Sequence, residues 1–314
     1  MTVESVTIAY LGPAGTFAEA AVTAMGLSGV AVPAASVIAA LDDVRSGKAT
    51  AAVVPIENSV EGSVSGTLDE LAAHPPLRIT AEVAVPVRFT LMRSKDFDGQ
   101  IQAVGTHSHA AAQCRRWLHE NLPDASVVFT GSTAGAAALL GKPQDLTETG
   151  PHFDAAIAPE LAAHRYGLAV VADDIGDNRD ALTRFVRLEL PGPLPLPTGA
   201  DRTSLALFMK ANRAGALLEI LTELAVRGIN MTRLESRPTR HALGDYCFSV
   251  DIDGHINDAR VGEALKGLRR ACADVLFLGS YPKHDGNQPV LAEGVTDADY
   301  ADADAWLATQ RSNR

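Results

Sequence analysis

At 314 residues with 46% hydrophobic content, the chain is long enough for two domains, each with its own core. No run nears the ~18 consecutive apolar residues of a membrane span. A net charge of -11 argues against a nucleic-acid partner, although a local pocket can take an anion against the global sign. The three cysteines, Cys114, Cys247 and Cys272, are far apart and lack metal-ligand or Cys-x-x-Cys spacing, which points to a reducing setting. The opening run Met1–Val6 enters a strand pattern without the basic segment and apolar core of a signal peptide. A cytoplasmic location, away from the membrane, is therefore expected.

Val6–Leu11 reads as a buried strand. It leads into the turn Gly12-Pro13-Ala14-Gly15-Thr16-Phe17 and an alanine-rich helix from Ala18 to Met25. Unpaired N–H groups and the helix dipole converge in such a turn, which suits an anion. It lacks the Gly-Lys-Ser/Thr ending of a nucleotide loop. The pattern recurs: strand Ala51–Val54 before Pro55-Ile56-Glu57-Asn58-Ser59 and a helix Thr67–Ala72; strand Ile101–Val104 before Thr106-His107-Ser108-His109 and a helix Ala110–Asn121. Strand Ser126–Phe129 precedes helix Ala134–Leu140, and strand Ala155–Ala158 precedes helix Glu160–Tyr166. Short apolar strands alternating with helices predict a parallel α/β domain, with ligands at the carboxyl ends of the strands. The longer extended run Leu77–Leu91, carrying Pro86, suits a crossing between two lobes, with a return near Ile175–Phe185. The expected class is thus a two-lobed, parallel-sheet α/β domain of the type II periplasmic-binding-protein kind, closing about a cleft.

Asn178-Arg179-Asp180-Ala181-Leu182-Thr183-Arg184-Phe185 places a hydroxyl, a guanidinium and an aromatic ring at the start of the last strand of that domain. A strand end is a rigid place for a hydrogen-bond donor. His107 and His109 lack a third ligand at complementary spacing, so no metal is expected.

The run Pro191–Pro197 marks a semi-rigid linker. Beyond it come strand Thr203–Lys210, helix Ala216–Arg227 stopped by Gly228, strands Asn230–Arg237 and Tyr246–Asp253, helix Asp258–Ala271 and strand Val275–Tyr281. That order, βαββαβ, is ferredoxin-like. The expected organisation is 1-190 as the two-lobed domain, 191-202 as linker, 203-281 as the second domain and 282-314 as an acidic polar tail. The tail is expected to hold one short helix near Tyr300–Thr309.

YLGPAGTF (Tyr10 to Phe17), VPIENSVEGSV (Val54 to Val64), the segment from His107 to Gln113 and Cys114, and NRDALTRF (Asn178 to Phe185) together resemble bacterial prephenate dehydratases. Gly215-Ala216-Leu217-Leu218 and Glu235-Ser236-Arg237-Pro238 extend the resemblance to a C-terminal ACT regulatory domain. Thr106 stands where that family usually has serine, and Ser108 where it usually has proline.

The resemblance implies conversion of prephenate to phenylpyruvate on the route to L-phenylalanine, with no cofactor and no metal. It implies Thr183 as the donor at the departing hydroxyl, with Thr16, Asn58, Ser59, Thr106 and Gln113 as polar substrate contacts. Arg184 either meets a carboxylate or braces the cleft, and Phe185 orients Thr183. It further implies L-phenylalanine as effector at a seam between subunits of a homodimer or homotetramer. The residues implied there are Asn212, Gly215, Ala216, Leu217, Leu218, Asn230, Glu235, Ser236, Arg237 and Pro238. Two other functions compete: action on arogenate, the aminated analogue, and a non-catalytic two-lobed sensor of a small carboxylate.

Overall fold

The structure is a computed structural model that describes residues 6–72, 75–142, 152–238 and 246–312; Met1–Ser5 of the opening run lie outside them. Two compact units emerge, and they do not follow chain order. One comprises Met1–Val64 with Val83–Phe185, the other Ser65–Glu82 with Val186–Arg314. Among the described residues no helix is long and apolar enough to cross a membrane.

In the first half of the chain lie β1 (Thr7–Leu11), α1 (Phe17–Ala24), β2 (Val30–Ala34), α2 (Val37–Arg45), β3 (Ala51–Asn58), β4 (Gly62–Ser63) and α3 (Ser65–Leu71). They are followed by β5 (Arg78–Pro86), β6 (Thr90–Arg93), β7 (Ala103–Thr106), α4 (Ser108–Gln113), α5 (Arg115–Asn121), β8 (Ser126–Phe129) and α6 (Thr133–Leu140). Next come β9 (Ala155–Ala158), α7 (Glu160–Tyr166), β10 (Ala169–Ala172) and β11 (Leu182–Glu189).

One sheet has the order β2-β1-β3-β11-β5, with β4 on β3; the other has β10-β6-β9-β7-β8. The unit boundary passes through β5 and β11. In the first sheet β1 runs parallel to β2 and β3. Its core gathers Ile8, Tyr10, Ala18, Val22, Val53, Val85 and Phe185. In the second sheet β7 is parallel to β8 and β9, but β6 is antiparallel to β9 and β10. The pairings β1–β2, β1–β3, β7–β8 and β7–β9 are those of the expected parallel-sheet α/β class, with β6 added antiparallel.

Several local differences have physical causes. Pairing of β3 with β1 ends at Val53, so the missing N–H of Pro55 falls beyond that ladder and the strand runs on to Asn58. The helix expected over Ala110–Asn121 breaks at Cys114, where φ and ψ are -114° and 13°. Asp177 serves both sides of the break. Its N–H donates to the Gln113 carbonyl at 2.6 Å, and its carboxylate accepts the Arg116 N–H at 3.1 Å. Orphan groups at two helix ends are thereby satisfied from one residue. Strand β2 and helix α2, unforeseen in the sequence, follow one another; Ser36 caps α2 by accepting the Ala39 N–H at 3.1 Å, a standard start.

The second unit contains β12 (Asp201–Phe208), α8 (Ala216–Ala225), β13 (Met231–Pro238), β14 (Tyr246–Asp253), α9 (Ala259–Ala271), β15 (Asp274–Pro282) and α10 (Asp297–Ser312). The sheet order β13-β14-β12-β15 is antiparallel at every pairing, as a βαββαβ chain requires. Leu205, Leu207, Ile220, Leu224, Val250, Ile252, Val261 and Leu268 fill its core. Ser65–Glu82 joins this unit through one buried ion pair and one half-buried ring contact. Arg202 Nη1 meets Glu82 Oε2 at 2.6 Å, and the Arg78 guanidinium lies 4.6 Å from the Phe277 ring centre. At Gly279 (φ +149°) a Cβ would stand 2.2 Å from the Ile79 carbonyl oxygen, so only glycine permits that approach. Helix α10 extends beyond the short tail helix expected; none of its described residues is buried, and all but the half-buried Tyr300 are exposed.

Candidate active site

A cleft of about 260 Å³ opens in the first unit. Phe17, Val87, Phe89 and Ala110 form its apolar wall, with Phe17 and Phe89 edge to face at 5.7 Å. Asn58, Thr183, Gln113, His107, His109, Ser132 and Thr133 supply its polar side. Among the described residues that line it there is no lysine or arginine. Negative charge placed there would be met by imidazoles, hydroxyls, amides and the start of α6, whose dipole points its positive end at Ser132 and Thr133.

Thr183 lies one residue inside β11 and is 8% exposed. Its Oγ1 accepts from Asn58 Nδ2 at 2.8 Å. Asn58 ends β3, and its Oδ1 accepts the N–H groups of Val60 at 2.8 Å and Glu61 at 3.0 Å. That double anchor forces the amide NH2 toward Thr183. Ser59 pins the same strand: its N–H donates to the Leu182 carbonyl and its Oγ accepts the Leu182 N–H, both at 2.9 Å.

Other residues singled out in the sequence stand elsewhere. Thr106 is fully buried and donates from Oγ1 to the Ile157 carbonyl at 2.8 Å, bracing β7 against β9. Thr16 donates to the Leu11 carbonyl at 3.1 Å. The turn before α1 is already occupied, because the Gly15 N–H donates to Glu19 Oε2 at 2.6 Å. Glu19 is in turn paired with Arg165, and Tyr166 donates its hydroxyl to the Ala14 carbonyl at 2.6 Å. Gly15 (φ +86°) brings this turn against α7, where a Cβ would meet Ala162 Cα at 3.0 Å. Burial, reinforced by the Glu19 charge, pushes the Tyr10 hydroxyl up to about 12. Arg184 is buried and donates from Nε to Glu57 Oε2 at 3.0 Å, while Phe185 lies in the core.

A second cavity, of about 410 Å³, belongs to the second unit. Asn212, Gly215, Ala216, Leu217, Leu218 and Ser236 line it, joined by Met209, Arg213, Leu221, Tyr246 and Phe248. Gly215 caps α8 at φ +83°, a left-handed position natural to glycine. Four expected members are not among the lining residues. Asn230 donates to Asp253 Oδ2 at 2.9 Å, and Glu235 sits in β13 opposite Ser249. Pro238 ends that strand. Arg237 reaches Asp69 of α3 with both Nε (2.9 Å) and Nη2 (3.1 Å), and those hydrogen bonds hold its pKa above the usual guanidinium value. Nothing local marks Met209, Phe17 or Phe89 as lining residues, because an apolar wall and a core have the same composition.

A small-molecule cleft in a two-sheet α/β unit, followed along the chain by a ferredoxin-like domain with its own cavity, is the layout of an enzyme carrying a separate ligand-sensing module. A family model for prephenate dehydratase matches residues 8–192, and one for the ACT domain matches residues 203–270. A prephenate dehydratase of Amycolatopsis methanolica is 47% identical over 303 residues, 96% of each chain. The crystal structure of the Arthrobacter aurescens prephenate dehydratase in complex with L-Phe matches with a TM-score of 0.90 at 45% identity, covering 98% of this chain and 100% of that one. GqqA, described as a novel type of quorum quenching acylase, has a TM-score of 0.75 at 29% identity, with 88% and 97% covered. The chain belongs to the prephenate dehydratase family.

Proposed function

We propose that the cleft around Thr183 converts prephenate to phenylpyruvate as a carbon–oxygen lyase. The observation that carries this is the Asn58–Thr183 hydrogen bond. With one lone pair of Oγ1 engaged by Asn58, the Thr183 hydroxyl proton is free to point into the cleft as a donor. As the ring carboxylate departs as carbon dioxide, its electron pair moves through the diene and the C4–oxygen bond breaks. One proton must reach the leaving oxygen so that water departs and the ring becomes aromatic. A free threonine is a weak acid. Its contribution is a preorganised hydrogen bond to developing charge, in an apolar-walled cleft where such a bond is worth more than in water. In this reading the substrate carboxylates lie toward His107 and the α6 start, beside His109 and Gln113.

The second cavity takes L-phenylalanine in this proposal, with the Gly215 turn admitting the amino acid backbone and Leu217, Leu218 and Phe248 facing its ring. Leu218 (66% exposed) and Tyr246 (41%) leave an apolar rim uncovered. That suits closure by a second copy, in a homodimer or homotetramer. All three thiols are free and buried, in keeping with a cytoplasmic enzyme.

Purified protein given prephenate should form phenylpyruvate, read by its ultraviolet absorbance in alkali, and should leave arogenate largely unconverted. Equal or faster turnover of arogenate would replace the proposed substrate, and no turnover of either would favour a sensor.

A further inference from the structure

Glu61 lies outside the residues lining the cleft, yet it joins both sides of it. Its backbone N–H is one of the two groups that hold Asn58 Oδ1 (3.0 Å). Its carboxylate is taken by two residues of α4 that do line the cleft, His109 Nδ1 at 2.6 Å and Gln113 Nε2 at 3.2 Å. His109 is itself steadied by His107, edge to face at 4.9 Å, whose Nδ1 accepts the His109 N–H at 3.4 Å. A continuous path therefore runs from Thr183 through Asn58 to the Glu61 backbone, and through its carboxylate to α4. Gly62, at φ +83°, lets the hairpin turn back so that both ends of Glu61 are engaged at once.

Resting on the dehydratase reading of this cleft, we propose that Glu61 is a positioning residue. It latches the β3–β4 hairpin to α4 and so holds the Asn58 amide in the orientation that turns the Thr183 proton toward substrate. The His109 and Glu61 side chains are 63% and 39% exposed, so the pair adds little to global stability. Its effect falls on geometry instead, where a small displacement of a catalytic group costs far more in rate than in folding. A rival role is built on the same contacts. The Glu61 carboxylate could be a stand-in for a substrate carboxylate on His109 and Gln113, and its removal would then free those donors.

Steady-state kinetics with prephenate on wild type, Glu61→Ala, Glu61→Gln, His109→Ala and the Glu61→Ala/His109→Ala double variant separates these roles. The latch predicts that kcat falls about tenfold in Glu61→Ala with the melting temperature nearly unchanged. It predicts a smaller fall in Glu61→Gln, which keeps an acceptor for Gln113, and a loss in the double variant below the product of the single losses. A lowered KM with undiminished kcat in Glu61→Ala would overturn the latch in favour of the stand-in. Strictly multiplicative losses, or no change, would overturn it as well. A wild type that forms no phenylpyruvate would instead overturn the dehydratase reading itself, so the two failures are distinguishable.

Discussion

Thr183 Oγ1 accepts a hydrogen bond from an amide whose own oxygen is already twice engaged, and that decides where its proton can go. Asn58 and Thr183 could both be picked out from motifs 125 positions apart, but their contact could not, because it depends on how β3 and β11 are paired. Thr106 shows the opposite case. Its hydroxyl was singled out beside the cleft segment, yet it is spent on the Ile157 carbonyl. Thr106→Val should therefore remove that hydrogen bond from a buried site and lower stability by about 1–3 kcal/mol in denaturant unfolding. Thr106→Ser, which keeps the hydroxyl, should lose only about 1 kcal/mol from the missing methyl. Equal stability of the valine and serine variants would refute a bracing role.

At the scale of elements, periodicity located most helices and strands, since apolar alternation and cap residues are local signals. What escaped was whatever a distant partner decides. The break at Cys114 depends on Asp177 and the run of β3 through Pro55 depends on where β1 stops; Arg237 is drawn to Asp69, 168 positions away. The turn before α8 was legible because only glycine sits easily at φ +83°. A valine at Gly215 would be strained there and would project into the cavity. Gly215→Val should raise the L-phenylalanine concentration for half-maximal response at least about tenfold, the scale of a 1–3 kcal/mol coupling. An unchanged response curve would place the effector elsewhere.

For the molecule as a whole, the buried acids make a prediction about alkaline stability. Burial, with the Asp177 charge, raises the Cys114 thiol from 9.0 to about 12, and burial raises the Tyr10 hydroxyl from 10.0 to about 12. Both are held neutral in the folded state, so their contribution is fully present below pH 9. It is lost as the unfolded chain ionises and pH climbs toward 12. Unfolding midpoints should therefore fall between pH 9 and 12, and Cys114→Ala should flatten that decline. A decline of the same steepness in the variant would exclude the thiol as a cause.

The central claim is that one buried hydroxyl, aimed by Asn58, meets the departing oxygen of the substrate. The most direct measurement is kcat for prephenate in Thr183→Ala and Thr183→Ser, with folding checked by circular dichroism. The account predicts a loss of roughly 10²–10³-fold in the alanine variant, with most of the activity restored by serine. An alanine variant that folds and turns over at close to the wild-type rate would contradict it.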